Sequence, residues 1–240
     1  MEKYKVVIVG AGIAGMSAAI NLKRAGITPL IIENNAPGGT LNYIPNIENY
    51  PGFESISGPD LAMNIYNQVN NLDIKIKSAN ISDIDLDKKI INNDIEFEYL
   101  IIATGRKSRL LGLENEKELL GRGISTCALC DGMFYKDKDV IVVGGGNSAL
   151  TESLYLSNIC KKVTIIIRRD NFTGDKYLID RIGNKKNIKV INNSNIISYN
   201  VKNNILVSVT LDNKKRVKTN GVFLALGGIP NSKLFNVEKE

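Results

Sequence analysis

The stretch Val6-Val-Ile-Val-Gly10-Ala-Gly12-Ile-Ala-Gly15 decides the fold of this chain. An apolar strand runs here into a glycine-rich turn, and an Ala-rich helix, a second strand from Ile27 to Ile32 and the acidic residue Glu33 follow. In such a turn the first glycine permits a tight bend, the second lets the backbone approach a pyrophosphate, and the third lets the helix pack on the strand. The stretch therefore predicts a dinucleotide-binding βαβ unit.

The same pattern occurs a second time, so the chain carries an internal repeat. The strand Val140 to Val143 leads into Gly144-Gly-Gly146-Asn-Ser-Ala149, and a helix, the strand Val163 to Ile167 and the pair Arg168-Arg169 follow. Adding 134 to positions 10, 12, 15 and 33 of the first copy gives 144, 146, 149 and 167 in the second. Two copies in the full strand, turn, helix and strand context favour two nucleotide sites over glycine-rich loops between core elements.

The residues that follow the second strand differ between the two copies. A carboxylate at this place binds ribose hydroxyls, so Glu33 predicts FAD or NAD in the first copy. Guanidinium groups pair with a 2′-phosphate, so Arg168 and Arg169 predict NADP in the second copy. A solvated strand end is the alternative interpretation of the arginine pair.

The composition allows two domains of ordinary size and disfavours nucleic acid as a partner. A chain of 240 residues with 43% hydrophobic content can bury one large core or two modest ones. The net charge of +6 comes from short scattered groups, such as Lys161-Lys162 and Lys185-Lys186, which do not form an organised basic face. We therefore expect no nucleic acid partner.

Apolar runs and cysteine content bear on location. No apolar run reaches the roughly 18 residues that a membrane-spanning helix needs, and Gly10, Gly12 and Gly15 interrupt the apolar N-terminal stretch. Three cysteines are too few for the disulfide framework of a secreted protein of this length. We expect a cytoplasmic protein that does not enter the membrane.

Each half continues with short strands that end in an apolar strand and a glycine turn. The alternation from Ile74 to Ile95, and again from Ile188 to Val217, predicts half-exposed antiparallel strands laid over a mainly parallel sheet. The expected fold class is α/β, with two Rossmann-like three-layer domains that bind FAD or NAD(P), the second inserted into the first. The first domain is placed at residues 1–109 and 228–240, and the second at 110–227.

Cys127 and Cys130 form a Cys-x-x-Cys pair directly before the nucleotide-binding strand of the second domain. A pair of this spacing closes a small disulfide, and a helix that begins between the sulfurs lowers the pKa of a thiol below its free value. The chain has no histidine and lacks the other two thiols of a four-cysteine site, so we expect no bound metal. Two buried inert thiols are the alternative.

The acidic residue after this pair, Asp131, is a candidate proton donor. A carboxylic acid at this place can protonate a thiolate leaving group, provided that partial burial favours its neutral form. A simple turn residue before Gly132 is the alternative interpretation. The third cysteine, Cys160, lies on an apolar helix and is predicted to belong to the core.

Eight stretches of the chain carry a family resemblance. Those of the first domain are Gly10-Ala-Gly-Ile-Ala-Gly15, Pro37-Gly-Gly39, Ile47-Glu-Asn-Tyr-Pro-Gly-Phe53 and Ala103-Thr-Gly105. Those of the second are Gly121-Arg-Gly-Ile-Ser-Thr-Cys-Ala-Leu-Cys-Asp-Gly132, Gly144-Gly-Gly-Asn-Ser-Ala149, Glu152-Ser-Leu-Tyr-Leu-Ser-Asn158 and Arg168-Arg-Asp-Asn-Phe172. Together they resemble the low-molecular-weight thioredoxin reductases, over residues 5 to about 235.

The resemblance implies an electron path. NADPH reduces FAD in the first domain, the flavin reduces the Cys127–Cys130 disulfide, and the dithiol reduces thioredoxin or a similar small dithiol protein. By the same resemblance Cys130 faces the flavin, Cys127 attacks the thioredoxin disulfide and Asp131 is the acid. It further implies a rotation of the NADPH domain about linkers at 106–113 and 227–228, and a homodimer for a full-length protein. A glutaredoxin-like protein and a peroxidase component stay open as acceptors.

The resemblance and the two turns together give the cofactor-binding residues. Those predicted for FAD are Gly10, Gly12, Ala14, Gly15, Glu33, Gly38, Gly39, Thr40, Asn49, Ala103, Thr104 and Gly105. Those predicted for NADPH are Gly144, Gly146, Asn147, Ser148, Ala149, Arg168 and Arg169.

Three departures from the family matter. The family has a histidine before the arginine pair and a further arginine after it, where this chain has Ile167 and Thr173. Loss of one of three cationic contacts costs about 1–3 kcal/mol of NADPH binding, so NADH and ferredoxin stay open as donors. A glycine-glycine-glutamine sequence that is frequent at the flavin is Gly38-Gly39-Thr40 here, and we expect this change to be tolerated.

The third departure is the end of the chain at Glu240, where the family continues with a strand, a Gly-Asp turn and a long helix that complete the FAD domain. By the length of a strand-crossover unit, about 30 residues or more are absent. We expect the chain to be a fragment of a longer protein, or to have its flavin covered by another molecule. An inactive nucleotide-binding fragment is the alternative to an enzyme.

Overall fold

The computed structural model describes residues 1–232 and Phe235. These residues form two compact units. The first unit consists of Met1–Lys107 together with the described residues from Ile229 onward, and the second consists of Ser108–Gly228. Residues 233, 234 and 236–240, which belong to the predicted continuation of the first domain, lie outside the described part of the chain. The division into an FAD-binding domain and an NADPH-binding domain stays a prediction.

A six-stranded sheet forms the centre of the first unit. Its strands are β1 (Glu2–Val9), β2 (Leu30–Glu33), β3 (Lys75–Ser78), β4 (Ile84–Asp85), β5 (Ile90–Ile91) and β6 (Ile95–Ile102). Their order is β3-β2-β1-β6-β5-β4, with β1, β2, β3 and β6 parallel and with β4 and β5 added in antiparallel fashion beside β6. The unit also contains helices α1 (Ile13–Arg24) and α2 (Gly58–Asn71) and a 3-10 helix at Gly39–Tyr43, and a short strand, β7 (Arg106–Ser108), follows β6.

The second half of the central strand β1, Val6 to Val9, is buried on both faces of the sheet, to which its side chains point in turn. Val6 and Ile8 pack with residues of α1 and α2 in one apolar cluster. Val7 and Val9 pack with residues of β5 and β6 in another. This double burial explains why the sequence from Val6 to Val9 is a continuous apolar run rather than an alternating one.

The second unit contains a five-stranded parallel sheet and a separate three-stranded sheet. Its strands are β8 (Ile124–Ser125), β9 (Asp139–Val143), β10 (Lys162–Ile166), β11 (Ile188–Ile191), β12 (Ile196–Lys202), β13 (Ile205–Leu211), β14 (Arg216–Lys218) and β15 (Gly221–Leu224). Its helices are α3 (Glu116–Leu119), α4 (Ala128–Asp131), α5 (Asn147–Ser157) and α6 (Lys176–Gly183), with a 3-10 helix at Gly132–Tyr135. The parallel sheet has the order β11-β10-β9-β15-β8, and β12, β13 and β14 form the antiparallel sheet. A final strand, β16 (Gly228–Pro230), pairs with β7.

The parallel sheet of this unit lies between two apolar clusters. Val140 and Val142 of β9 pack in one cluster with residues of α5 and α6. Ile141 and Val143 pack in the other cluster with Val209 and further residues of the antiparallel sheet. The unit therefore has a helical layer, a parallel sheet and an antiparallel sheet, as predicted.

One part of the strand prediction is wrong in both halves. The first pieces of the alternating segments, β3 and β11, are not antiparallel strands laid over the sheet but parallel edge strands, paired with β2 and β10. Each of them follows a helix, and a crossover helix returns the chain in the same direction as the preceding strand. In the first unit, β4 and β5 also extend the central sheet instead of lying over it.

None of the helices in the described residues combines the length and the apolar composition that crossing a membrane requires.

Candidate functional site

The first glycine-rich turn is fixed by two close approaches of the backbone. Gly10 has a φ of +105°, and a Cβ there would lie 2.3 Å from the carbonyl oxygen of Ala103. A Cβ at Gly15 would lie 1.9 Å from the carbonyl oxygen of Gly10. Neither position can hold a side chain unless the backbone moves. The sequence pattern of this turn thus reflects the contact between β1, β6 and the start of α1.

Gly12 has a different environment. It is the N-cap of α1 and has no capping side chain, and a Cβ built there would meet no atom within 4 Å. Open space therefore lies against the helix N-terminus, where free N–H groups and the helix dipole favour an anion. Ala14, in the first turn of α1, is exposed. The turn fits the pyrophosphate of a dinucleotide.

Glu33, at the end of β2, holds this turn in place. Its Oε2 accepts a hydrogen bond from the backbone N–H of Ala11 at 2.8 Å, and its Oε1 accepts one from that of Asn35 at 2.9 Å. Each carboxylate oxygen keeps further lone pairs for ribose hydroxyls. Gly38 donates its N–H to the carbonyl of Ala11 at 2.8 Å and bridges to Gly12. This bridge brings the predicted residues Gly38, Gly39 and Thr40 to the same turn.

The end of β6 joins the turn on its other side. The N–H of Ala103 donates to the carbonyl of Val9 at 2.8 Å. Thr104 donates its hydroxyl to the carbonyl of Asn231 at 2.9 Å, and the Asn231 amide donates back to the carbonyl of Thr104 at 3.0 Å. The N–H of Asn231 donates to the carbonyl of Gly105 at 3.0 Å. Asn231 was not predicted, because no spacing rule links position 231 to position 104.

Asn49 is the predicted FAD residue that the structure does not join to this cluster. It is exposed in the loop that the bridge between Ile47 and Ile56 closes. Within the described part of the chain, no hydrogen bond connects its side chain to the glycine-rich turn. Its role in FAD binding stays a prediction, as do those of the other predicted residues.

The second turn repeats the geometry of the first. Gly144 has a φ of +137°, and a Cβ there would lie 2.3 Å from the carbonyl oxygen of Ala225. Gly146 is the N-cap of α5, and the single atom that its Cβ would meet within 4 Å is the Thr173 Oγ1, at 3.9 Å. Ala149 is fully buried where α5 packs on the sheet. This turn likewise leaves room for a pyrophosphate at a helix N-terminus.

A cleft of about 500 Å³ opens at this turn, within the second unit. Residues 144–148, Arg168 and Arg169 line it, together with Arg109 and the segments 194–196 and 225–227. Among the described residues, no carboxylate lines the cleft. The three arginines make it electropositive, which suits a phosphate-bearing ligand. Arg109 was not predicted, because it lies outside both motifs.

Three further residues at the cleft have structural contacts that the nucleotide motif did not predict. Ile167, at the position of Glu33, is only 3% exposed and belongs to the apolar core. Thr173 donates its N–H to the carbonyl of Gly145 at 2.8 Å and so closes the loop after β10 onto the turn. Asn147 exchanges two hydrogen bonds with Asp175, at 2.9 and 2.7 Å. Its side chain therefore ties α5 to the start of α6 and leaves the backbone N–H as its contribution to an anion site.

Cys127 and Cys130 are joined by a disulfide. Cys127 is the N-cap of α4, and its Sγ accepts a hydrogen bond from the N–H of Cys130 at 3.0 Å. The hydroxyl of Ser125 accepts the N–H of Cys127 at 3.0 Å and fixes the approach to the helix. Cys130 is exposed and Cys127 half-buried. The alternative of two buried inert thiols is wrong.

The other titratable groups of this unit have distinct environments. Asp131 is half-buried at the end of α4, and burial together with the charge of Asp131 raises the pKa of Tyr135. Burial and the charge of Asp137 raise the pKa of Cys160 to about 11, and this cysteine lies in the core as predicted. Burial raises the pKa of Glu152 on α5 to about 8, and its Oε2 has no hydrogen-bond partner among the described residues.

Comparison with known proteins identifies the family. A sequence model of the pyridine nucleotide-disulphide oxidoreductases matches residues 4–240. The chain belongs to this family. The predicted α/β fold and the enzyme class, an FAD-dependent disulfide oxidoreductase, are thereby confirmed.

Members of the family with high similarity are thioredoxin reductases. That of Rickettsia typhi is 41% identical, over 97% of this chain and 79% of the relative. That of Bacillus subtilis is 37% identical, over 97% of this chain and 77% of the relative. The crystal structure of the Lactococcus lactis enzyme superposes with a TM-score of 0.92 at 32% identity, over 97% of this chain and 80% of that one. The family resemblance drawn from the motifs is confirmed.

Proposed function

We propose that the chain is a thioredoxin-disulfide reductase, which passes electrons from NADPH through FAD and the Cys127–Cys130 disulfide to thioredoxin. One observation carries this proposal: a disulfide lies at the start of a short helix in the same unit as an arginine-lined dinucleotide cleft. The names of the relatives support thioredoxin as the substrate.

The first unit supplies an FAD site. The N-terminus of α1 at Gly12 receives the pyrophosphate, and Glu33 accepts hydrogen bonds from ribose hydroxyls. When bound there, FAD would supply the two-electron chemistry that connects a nicotinamide donor with the Cys127–Cys130 disulfide. Family membership confirms the prediction of FAD and NADPH as cofactors.

The second unit supplies the NADPH site. The N-terminus of α5 receives the pyrophosphate, and Arg168 and Arg169 lie where the ribose 2′-phosphate is expected, just after β10, the strand that follows α5. A guanidinium group binds a phosphate through two parallel hydrogen bonds. NADH has no 2′-phosphate and so cannot accept these bonds. The arginines therefore favour NADPH over NADH as the donor.

The reduced dithiol performs thiol–disulfide exchange with the acceptor. The Cys127 thiolate attacks one sulfur of the thioredoxin disulfide, forms a mixed disulfide and releases a thiolate, which takes a proton from Asp131. The Cys130 thiolate then attacks the Cys127 sulfur, so the Cys127–Cys130 disulfide re-forms and reduced thioredoxin leaves. The hydrogen bond from the Cys130 N–H favours negative charge on the Cys127 sulfur, which supports Cys127 as the attacking group.

Apolar surface next to the disulfide supports a protein as the acceptor. Met133 and Phe134 follow the disulfide helix directly and are 59% and 73% exposed. Large exposed apolar side chains in neighbouring positions are typical of a protein contact surface.

The test begins with the absorbance of the purified protein between 350 and 500 nm. A yellow protein that oxidises NADPH when oxidised thioredoxin is added, and that loses this turnover in Cys127→Ser and Cys130→Ser, supports the proposal. Cys160→Ala is the matched control, because the third cysteine lies in the core, and it should keep turnover. A colourless protein would favour the inactive nucleotide-binding fragment. A yellow protein that turns over with NADH or reduced ferredoxin but not with NADPH would favour the alternative donors.

The roles of the two sulfurs need a separate experiment, because exposure alone would favour Cys130. The probe is a thioredoxin whose second active-site cysteine is replaced by serine and whose remaining cysteine carries thionitrobenzoate in disulfide linkage, so that an attacking thiolate forms the mixed disulfide and releases coloured thionitrobenzoate. Trapping by Cys130→Ser, which keeps Cys127, supports Cys127 as the attacking thiol. Trapping by Cys127→Ser alone would reverse the assignment.

A cytoplasmic location and a homodimer also belong to this proposal. The low cysteine content supports the former. Cell fractionation tests the location, and sedimentation velocity of the purified protein tests the dimer.

A further inference from the structure

Three arginines line the cleft of the second unit, and the motifs account for two of them. Arg168 and Arg169 follow β10, whereas Arg109 lies at the start of the unit and was not expected at a nucleotide site. All three side chains are exposed, and none has an ion-pair partner among the described residues. Arg109 thus lines a cleft that no carboxylate of the described residues lines, and neither nucleotide motif accounts for it.

The order of the strands places Arg109 opposite the arginine pair. The glycine-rich turn follows β9, which lies between β10 and β15 in the sheet. Arg168 and Arg169 follow β10, and the N–H of Arg109 donates to the carbonyl of Gly227, just after β15, at 3.0 Å. Neighbouring strands are about 5 Å apart. The turn at the end of β9 thus lies between the arginine pair, at the neighbouring strand β10, and Arg109, at the neighbouring strand β15.

The backbone that carries Arg109 is held firmly in this position. Two and three residues after Arg109, the N–H groups of Leu111 and Gly112 donate to the two carboxylate oxygens of the buried Glu116, at 3.1 and 2.6 Å. Tyr199 of the antiparallel sheet donates its hydroxyl to the same carboxylate at 2.6 Å. With Gly227 on one side and Glu116 on the other, the side chain of Arg109 starts from a fixed point, which reduces the entropy lost when it binds a ligand.

We propose that Arg109 binds the pyrophosphate of the dinucleotide from the β15 side of the cleft and does not contact the 2′-phosphate. The proposal rests on the proposed function, in that it takes the cleft to be the NADPH site. The pyrophosphate lies at the N-terminus of α5, one strand away from Gly227, and an arginine side chain spans that distance. The 2′-phosphate lies beyond the turn, beside Arg168 and Arg169. Arg109 therefore strengthens the binding of NADPH and NADH alike, whereas the arginine pair discriminates between them.

Calorimetric titration of the oxidised protein tests this division without any turnover. The probes are NADP⁺, ADP and adenosine 2′-monophosphate, of which ADP carries the pyrophosphate alone and adenosine 2′-monophosphate carries the 2′-phosphate alone. We expect Arg109→Gln to weaken the binding of NADP⁺ and ADP by a similar factor, about 10-fold or more, from the strength of hydrogen bonds between charged groups. Adenosine 2′-monophosphate should bind Arg109→Gln as it binds wild type. Arg169→Gln should give the reverse pattern, with weaker binding of NADP⁺ and adenosine 2′-monophosphate and unchanged binding of ADP.

Controls keep the outcomes distinct. Arg216→Gln removes one exposed charge from β14, away from the cleft, and should leave all three affinities unchanged. Arg109→Lys keeps the charge without the forked donors and should lie between wild type and Arg109→Gln. Unchanged ADP binding by Arg109→Gln, or a loss of adenosine 2′-monophosphate binding as large as that of Arg169→Gln, would overturn the role of Arg109. If the wild-type protein binds none of the three probes, the NADPH site itself is overturned, and with it the proposed function.

Discussion

The two glycine-rich turns of this chain share one backbone and differ in their side chains. Gly10 and Gly144 both have positive φ, and a Cβ at either would lie 2.3 Å from a carbonyl oxygen of the neighbouring strand end. Gly12 and Gly146 both begin a helix at open space. The shared features belong to the approach of a helix and two strands, and they recur because any bound pyrophosphate needs the same approach.

The differences lie where each turn meets its surroundings. At the third motif position the first turn has Gly15, with no room for a methyl group, and the second has the buried Ala149. After the second strand, Glu33 bonds the first turn through Ala11, whereas the second turn is closed by Thr173. Backbone contacts thus set which positions must stay small, and the residues after the second strand set the charge that the ligand meets.

Among substitutions that test this comparison, Gly15→Ala should have the largest effect on stability and on flavin binding. The new Cβ would lie 1.9 Å from the carbonyl oxygen of Gly10, so the helix or the turn must shift. We expect a loss of on the order of 4 kcal/mol or more in the free energy of unfolding and no bound flavin after purification. Chemical unfolding followed by circular dichroism, together with the absorbance at 450 nm, measures both effects.

The control for this change is Gly183→Ala, at the end of α6. A Cβ there would meet no atom within 4 Å, and alanine is the better helix former, so this variant should be as stable as wild type or slightly more stable. A Gly15→Ala protein that unfolds like wild type and keeps its flavin would show that the turn relaxes freely. The close approach would then not explain the glycine.

The glycines and the end groups could be predicted from the sequence because the contacts that require them are made within one strand–turn–helix unit. Arg109 could not, because its place depends on a hydrogen bond to Gly227, on the far side of the second unit in the sequence. The same holds for Asn231, which bonds Thr104. The alternation at β3 predicted an antiparallel strand, although the preceding helix α2 sets its direction. Periodicity reports which face of a strand is buried, but not its partner.

Glu152→Gln should have the next largest effect, and a pH-dependent one. Subtracting 134 gives Ala18 as its counterpart in α1, a small apolar residue that is partly buried against the core, so the second copy has a carboxyl group where the first has a methyl group. Burial raises the pKa of Glu152 from 4.5 to about 8. Below pH 4.5 the carboxyl is protonated in both the folded and the unfolded chain, and no stability is lost to it.

As the pH rises from 4.5 towards 8, the unfolded chain ionises Glu152 and the folded chain does not, so the free energy of unfolding falls. The loss is on the order of 2–4 kcal/mol by pH 8, since each pKa unit corresponds to about 1.4 kcal/mol and the residue keeps partial solvent contact. Glu152→Gln should lose this dependence and be the more stable protein at pH 8. Urea unfolding at pH 5 and pH 8 measures it, with Glu118→Gln, an exposed carboxylate of the same unit, as the control. Equal pH dependences for wild type and Glu152→Gln would refute the buried, unpaired carboxyl.

Glu33→Gln should separate the ligands of the two turns. The substitution keeps an oxygen for the N–H of Ala11 but removes the charge that strengthens this bond and the bonds to ribose hydroxyls. We expect FAD to bind about 10-fold more weakly, from the difference between charged and neutral hydrogen bonds. NADP⁺ binding should stay unchanged. Fluorescence titration of the flavin-free protein with FAD, beside calorimetry with NADP⁺, measures the two, with Glu98→Gln on the surface of β6 as the control. An equal loss for both ligands would mean that the turns do not bind different nucleotides.

Ala149→Gly, the converse of Gly15→Ala, should have the smallest effect. It gives the second turn the glycine of the first, and no clash can result because an atom is removed. The folded helix loses one buried methyl group, and the unfolded chain gains backbone freedom. Together these changes lower the free energy of unfolding by about 1 kcal/mol. NADP⁺ affinity should change less than 3-fold, because the backbone N–H groups that face the pyrophosphate stay in place. Chemical unfolding and calorimetry with NADP⁺ check both values, with Ala18→Gly in the first helix as a matched loss of one methyl group. A large loss of NADP⁺ affinity in Ala149→Gly alone would mean that this methyl group, and not only the backbone, positions the second turn for its ligand.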